Sequence, residues 1–145
     1  MNTGVENLAA AKAAAQRIRP KAGGFPYLAE ALRQAGVSRY ECHLPSMRNM
    51  YLTAHGPVLD QGAPLVQGMH EVPAFDRDTF VAALRREQAG EMSYLEFAAI
   101  AWSAGVVRYV VDLDQRTCRY YGLQDESFEE IYPGVSLPQA VARTG

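Results

Sequence analysis

Apolar positions along this chain switch between two periods, and they do so twice in the same order. Leu28, Ala31, Leu32 and Ala35 lie three and four residues apart, the spacing of one buried face of a helix. Pro26 suits the first turn of that helix, where a missing N–H costs nothing, and Gly36 suits its end. The period then shortens to two. This predicts a strand over 38–44 and a return strand over 49–55, joined around Pro45, Ser46, Met47 and Arg48. Farther along, Phe80, Val81 and Leu84 predict a helix capped by Asp76 or Asp78 and stopped at Gly90. Ser93-Tyr94-Leu95-Glu96 has the form of a capping box, and the apolar helix it opens ends at Gly105. Val107, Tyr109, Val111 and Leu113 then alternate with Arg108, Val110 and Asp112, and residues 117–121 return as a second strand. Placing Leu113 opposite Cys118 sets Val111 against Tyr120 and Asp112 against Arg119, an apolar layer on one side and an ion pair on the other.

The remaining segments are weaker. Leu8, Ala11, Ala15 and Ile18 give a first helix with a narrow apolar face, ended by Pro20 and Gly23-Gly24. Residues 56–73 hold Pro57, Gly62, Pro64, Gly68 and Pro73 and read as loop, with one short strand near Leu65-Val66-Gln67. Phe128 to Tyr132 adds a further strand, and residues 133–145 read as a peripheral tail.

The two halves also share wording. Ala35-Gly36-Val37-Ser38-Arg39-Tyr40 returns as Ala104-Gly105-Val106-Val107-Arg108-Tyr109, and the same spacing carries Tyr51 onto Tyr120. The expectation is a single α+β domain over residues 1–145. It has one antiparallel sheet of two related hairpins, helices packed on one face, and an internal helix–helix–hairpin repeat with halves at about 25–55 and 92–122.

Several of these residues carry a resemblance. Phe25-Pro26, Gly36-Val37, Tyr40-Glu41, Gly90, Tyr94 and Phe97 lead up to Val110-Val111-Asp112-Leu113-Asp114, Thr117-Cys118 and Tyr120-Tyr121. This set resembles the YbcV-like proteins, a bacterial group of unknown function in which some members are labelled phage envelope protein. The resemblance implies a small α+β domain and brings no catalytic residue with it.

Composition narrows the classes. With 145 residues, 48% of them hydrophobic, the chain can bury a core without metal or disulfide. A net charge of −2 supplies no basic surface for phosphates, so no nucleic-acid partner is expected. No stretch reaches the length of a membrane span, and no secretory leader is read at the start. Cys42 and Cys118 read as small buried hydrophobes in a reducing compartment, and the cytoplasm is the expected location.

Candidate chemistry gathers on the first hairpin. A five-residue loop would pair Leu44 with Met50, Cys42 with Leu52 and Tyr40 with Ala54, leaving Arg39, Glu41, His43, Tyr51, Thr53 and His55 on the opposite face. Arg39, Glu41, His43, Tyr51 and His55 are therefore the expected ligand-binding patch. His43, His55 and His70 have no compact metal-ligand spacing, and no metal or cofactor is expected. Cys42 and His43 are adjacent in a strand and point apart, which argues against a Cys–His nucleophile. No G-x-S-x-G, G-x-G-x-x-G or P-loop motif is present. The leading expectation is a small non-enzymatic module that binds a ligand of undefined class or a protein, a second copy of itself included. The alternative is a hydrolase or lyase with Glu41 and either His43 or His55 as acid and base.

Overall fold

Two helices followed by three strands make up each half of the chain. The first half contains α1 (Thr3–Ile18), α2 (Phe25–Gln34), β1 (Val37–His43), β2 (Arg48–Thr53) and β3 (Gly56–Gln61). The second contains α3 (Arg77–Gln88), α4 (Tyr94–Ser103), β4 (Arg108–Asp112), β5 (Thr117–Tyr121) and β6 (Ser127–Ile131). This computed structural model describes residues 3–137. The strands form one antiparallel sheet in the order β3-β2-β1-β4-β5-β6, so the strand after each helix pair is central and its successors step outward. The helices pack against one face, which makes the fold α+β.

Local chemistry explains the boundaries. Ser93 and Glu96 form the reciprocal capping box at the start of α4, and the Asp76 side chain accepts the Thr79 N–H at the start of α3. Gly105 must be glycine on two counts. Its φ is +88°, and a Cβ there would lie 2.5 Å from the Ala74 carbonyl oxygen, where the 62–76 connection crosses the end of α4.

The first hairpin departs from the expected pairing. Tyr40 lies opposite Tyr51, Glu41 opposite Met50 and Cys42 opposite Asn49. The turn is shorter than five residues because Met47, at φ 54°, donates its N–H to the Leu44 carbonyl, while both side chains are buried. An odd shift of register turns every β2 side chain to the other face. Tyr51 is thus buried at 5% exposure, while Met50 and Leu52 are 55% and 46% exposed. In the second hairpin the shift is even, so the faces stand as expected although the partners do not. Val111 faces Cys118 and Tyr109 faces Tyr120. Arg119 pairs with Glu129 of β6 at 3.1 Å, and Asp112 instead accepts the N–H groups of Asp114 and Gln115 in the turn.

β3 occupies Gly56–Gln61, where a loop was expected, and no strand forms at residues 65–67. Val58 turns inward and Leu59 outward, so the period-two signal was present but short and masked by Gly56 and Pro57. The core is formed by Leu32, Leu44, Phe80, Val106, Val111 and Leu113. Beyond β6 the chain runs on without secondary structure to residue 137, and Tyr132 packs edge-on against Phe25 at 5.1 Å. The rest of the expected peripheral tail, residues 138–145, lies outside the described residues.

Candidate functional site

The expected patch divides between the two faces of the sheet. Arg39, Glu41 and His43 are alternate residues of β1 and share the open face with Arg108 and Val110 of β4. Tyr51 lies on the opposite face, under the helices, and His55 sits in the β2–β3 turn at the other end of β1 from His43. Glu41 and His43 each have a partner other than the one an acid–base pair would need. Arg108 donates to Glu41 at 3.3 Å and lies 3.9 Å over the Tyr121 ring, while His43 Nδ1 is 2.8 Å from the Ser46 hydroxyl. His70 lies on the exposed connection and bonds the Gln67 carbonyl. Among the described residues no three His, Cys, Asp or Glu side chains gather as a metal would require.

The other face carries a cleft of about 710 Å³ between the two helix pairs. The register builds its floor. Tyr51 and Tyr40 are neighbours across β2 and β1, and Tyr109 and Tyr120 are neighbours across β4 and β5. Tyr40 and Tyr51 stack at 4.9 Å, Tyr109 and Tyr120 meet at 5.4 Å, and Tyr40 meets Tyr109 edge-on at 6.5 Å. One wall comes from Lys12 and Arg19 of the first helix region with Phe25 and Leu28 of α2. The other comes from Leu84, Glu87 and Gln88 of α3 with Tyr94 and Phe97 of α4.

Polar groups line this aromatic floor in pairs. Lys12 donates to Asp60 at 2.7 Å and lies 5.7 Å over the Tyr51 ring. At the far rim Glu130 accepts from Arg85 at 2.6 Å and from the Gln88 amide. Between them the Tyr94 and Tyr109 hydroxyls are 2.6 Å apart, with the Cys42 sulfur 3.7 Å from Tyr94. Burial pulls the Lys12 ammonium down, but the Asp60 hydrogen bond, the neighbouring Tyr51 phenol and the Asp60 charge together more than offset it and keep the group protonated. Burial pushes the phenols of Tyr40, Tyr109 and Tyr120 well above the usual tyrosine range and raises Tyr51 as well. The floor is therefore a set of neutral phenols at physiological pH. The volume, apolar walls and few convergent polar groups match a small-molecule site.

Both cysteines are free and buried. Burial raises the Cys42 thiol and pushes Cys118 up to about 12. The thiolate is the reactive form. In native protein at about pH 8, reaction of both thiols with Ellman's reagent is expected to be at least roughly a hundredfold slower than with free cysteine. It should reach full rate on unfolding in urea. Prompt labelling of either thiol in the native state would contradict this placement.

Sequence reasoning missed the cleft because it set Tyr51 on the wrong face. The signal that marks it is the shared spacing of Tyr40 with Tyr109 and of Tyr51 with Tyr120, which places two aromatic cross-strand pairs side by side.

No helix among the described residues is long and apolar enough to cross a membrane. Residues 12–129 match the family described as Protein of unknown function (DUF1398). An uncharacterized protein of Mycobacterium bovis and one of Mycobacterium tuberculosis are each 55% identical to this chain over 135 residues, covering 93% of this chain and 82% of the relative.

Proposed function

We propose that this chain, which belongs to the DUF1398 family of proteins of unknown function, is a non-enzymatic binding protein whose site is the tyrosine-floored cleft. The observation that carries the reading is the pairing of Tyr40 with Tyr51 and of Tyr109 with Tyr120 beneath a cavity of about 710 Å³. Aromatic rings offer large contact area at low conformational cost, and their phenols fix orientation without bringing charge. The hydrolase or lyase alternative has less support, since Glu41 and His43 are held by Arg108 and Ser46 rather than by each other. The likeness to YbcV-like proteins belongs to the same proposal, supplying a fold and no catalytic group. A cytoplasmic location does too, supported by two free thiols.

The test is fluorescence titration with the uncharged dye N-phenyl-1-naphthylamine. Wild-type protein should give a saturable rise. Leu28 lines the cleft from the first turns of α2, and Leu28→Trp would fill space there. It should weaken binding at least about tenfold, equivalent to about 1.4 kcal/mol, and leave the melting temperature within a few degrees of wild type. No saturable rise in the wild type, or equal affinity in the variant, would remove the reading.

A further inference from the structure

The charges lining the cleft balance in number, two of each sign. Among the described residues four ionic side chains line it: Lys12, Arg19, Glu87 and Glu130. Lys12 is paired with Asp60 and Glu130 with Arg85, while among the described residues Glu87 and Arg19 make no ion pair, and burial raises the Glu87 carboxyl more than the field of Arg19 lowers it. With two cations and two anions on its lining the cleft favours an ion of neither sign, and a charged ligand seated on the tyrosine floor would have to draw Lys12 or Glu130 from its partner, which is costly.

The hydrogen-bonding capacity left over is neutral. Asn49 lies on the cleft face of β2, opposite Cys42 and beside Asp60. Among the described residues neither its side-chain amide nor the Tyr40 hydroxyl has a hydrogen-bond partner, and no fully enclosed polar side-chain atom lacks one. Both groups therefore open into the cleft. An amide offers donors and an acceptor, and a phenol offers one donor and acceptor lone pairs. The Tyr94–Tyr109 hydroxyl pair adds a third neutral point of contact on the same floor.

We propose that the ligand of this cleft is an uncharged, flat ring compound bearing a hydroxyl or carbonyl at its edge. The ring lies on the tyrosine floor, and the edge group is hydrogen-bonded by the Asn49 amide and the Tyr40 hydroxyl. This inference rests on the reading of the cleft as a small-molecule site. It goes further in excluding organic anions and cations of the same shape.

The experiment compares three probes that share one ring system: 2-naphthol, 2-naphthoate and 2-naphthylmethylammonium. Each is titrated into the full chain at neutral pH by isothermal calorimetry. 2-Naphthol should bind at least about tenfold more tightly than either ion. Asn49→Leu should cut 2-naphthol affinity about tenfold, as expected for the loss of a hydrogen bond. The same variant should bring 2-naphthol down to the affinity of unsubstituted naphthalene, a loss of selectivity that a merely structural effect would not produce. Tighter or equal binding of either ion would overturn this inference while leaving the cleft a binding site. No binding of any probe would remove the site and this inference with it.

Discussion

Replacing Phe80 by alanine should remove about 3–5 kcal/mol of stability, the usual cost of deleting a fully enclosed ring. Phe80 projects from α3 with 0% exposure. Its ring meets Tyr120 at 4.7 Å, Phe128 at 5.9 Å and Phe97 at 6.0 Å. One side chain thus joins α3 to β5, β6 and α4, and so fixes the second wall of the cleft to its floor. Three aromatic rings packed around it from three elements leave little freedom to collapse into the space. Domains of this size have about 5–15 kcal/mol in total, so the variant should melt roughly 10 °C lower and lose cleft binding along with it. Urea denaturation gives the number. Leu123, which is exposed, provides the control: Leu123→Ala should stay within about 0.5 kcal/mol of wild type. A Phe80→Ala loss no larger than that of the control would mean that Phe80 does not tie these elements together.

Alkali should unfold this protein. Tyr40, Tyr109 and Tyr120 are held well above the usual tyrosine range by burial, and Cys118 is pushed up to about 12. In the unfolded chain a thiol ionises near pH 8.5 and a phenol near pH 10, to about a unit in each case. Above those values the unfolded chain has released protons that the native chain still holds. These groups therefore leave stability untouched below about pH 8 and reduce it as pH rises through the unfolded values. Each removes up to about 1.4 kcal/mol per pH unit. Three phenols and one thiol together remove roughly 5 kcal/mol per unit above about pH 10, which is comparable with the whole stability. Urea midpoints measured from neutral pH upward should fall steeply beyond about pH 10, with the ultraviolet signal of tyrosinate rising in the same transition. Ionisation of all eight tyrosines while the protein stays folded would show that the buried phenols titrate in the native cleft.

The fold was legible where pattern and turn chemistry agreed. Ser93 and Glu96 announced α4, Gly36 and Gly105 announced the helix ends, and strict alternation from Val107 to Leu113 placed β4 with its correct face inward. The site was less legible, for a single physical reason. Side chains alternate along a strand, so a turn shortened by an odd number of residues reverses a whole strand. Met47 adopts a left-handed backbone conformation, which few non-glycine residues favour, and nothing in its local sequence signals it. That turn sends Tyr51 to the core face and Met50 and Leu52 to the open one, dispersing the patch expected around Glu41 and His43. The cleft also depends on contacts that no local pattern encodes. Lys12 of α1 meets Asp60 of β3, and Arg85 of α3 meets Glu130 of β6.

The binding proposed for this protein places a small molecule beneath the helices rather than on the open sheet. Intermolecular nuclear Overhauser effects between bound 2-naphthol and the protein side chains test it directly, because the two faces carry different reporters. Contacts are expected to the ring protons of Tyr40, Tyr51, Tyr109 and Tyr120 and to the Leu28 methyl groups. Contacts to Met50, Leu52 and Leu59, which lie on the open face, would contradict it.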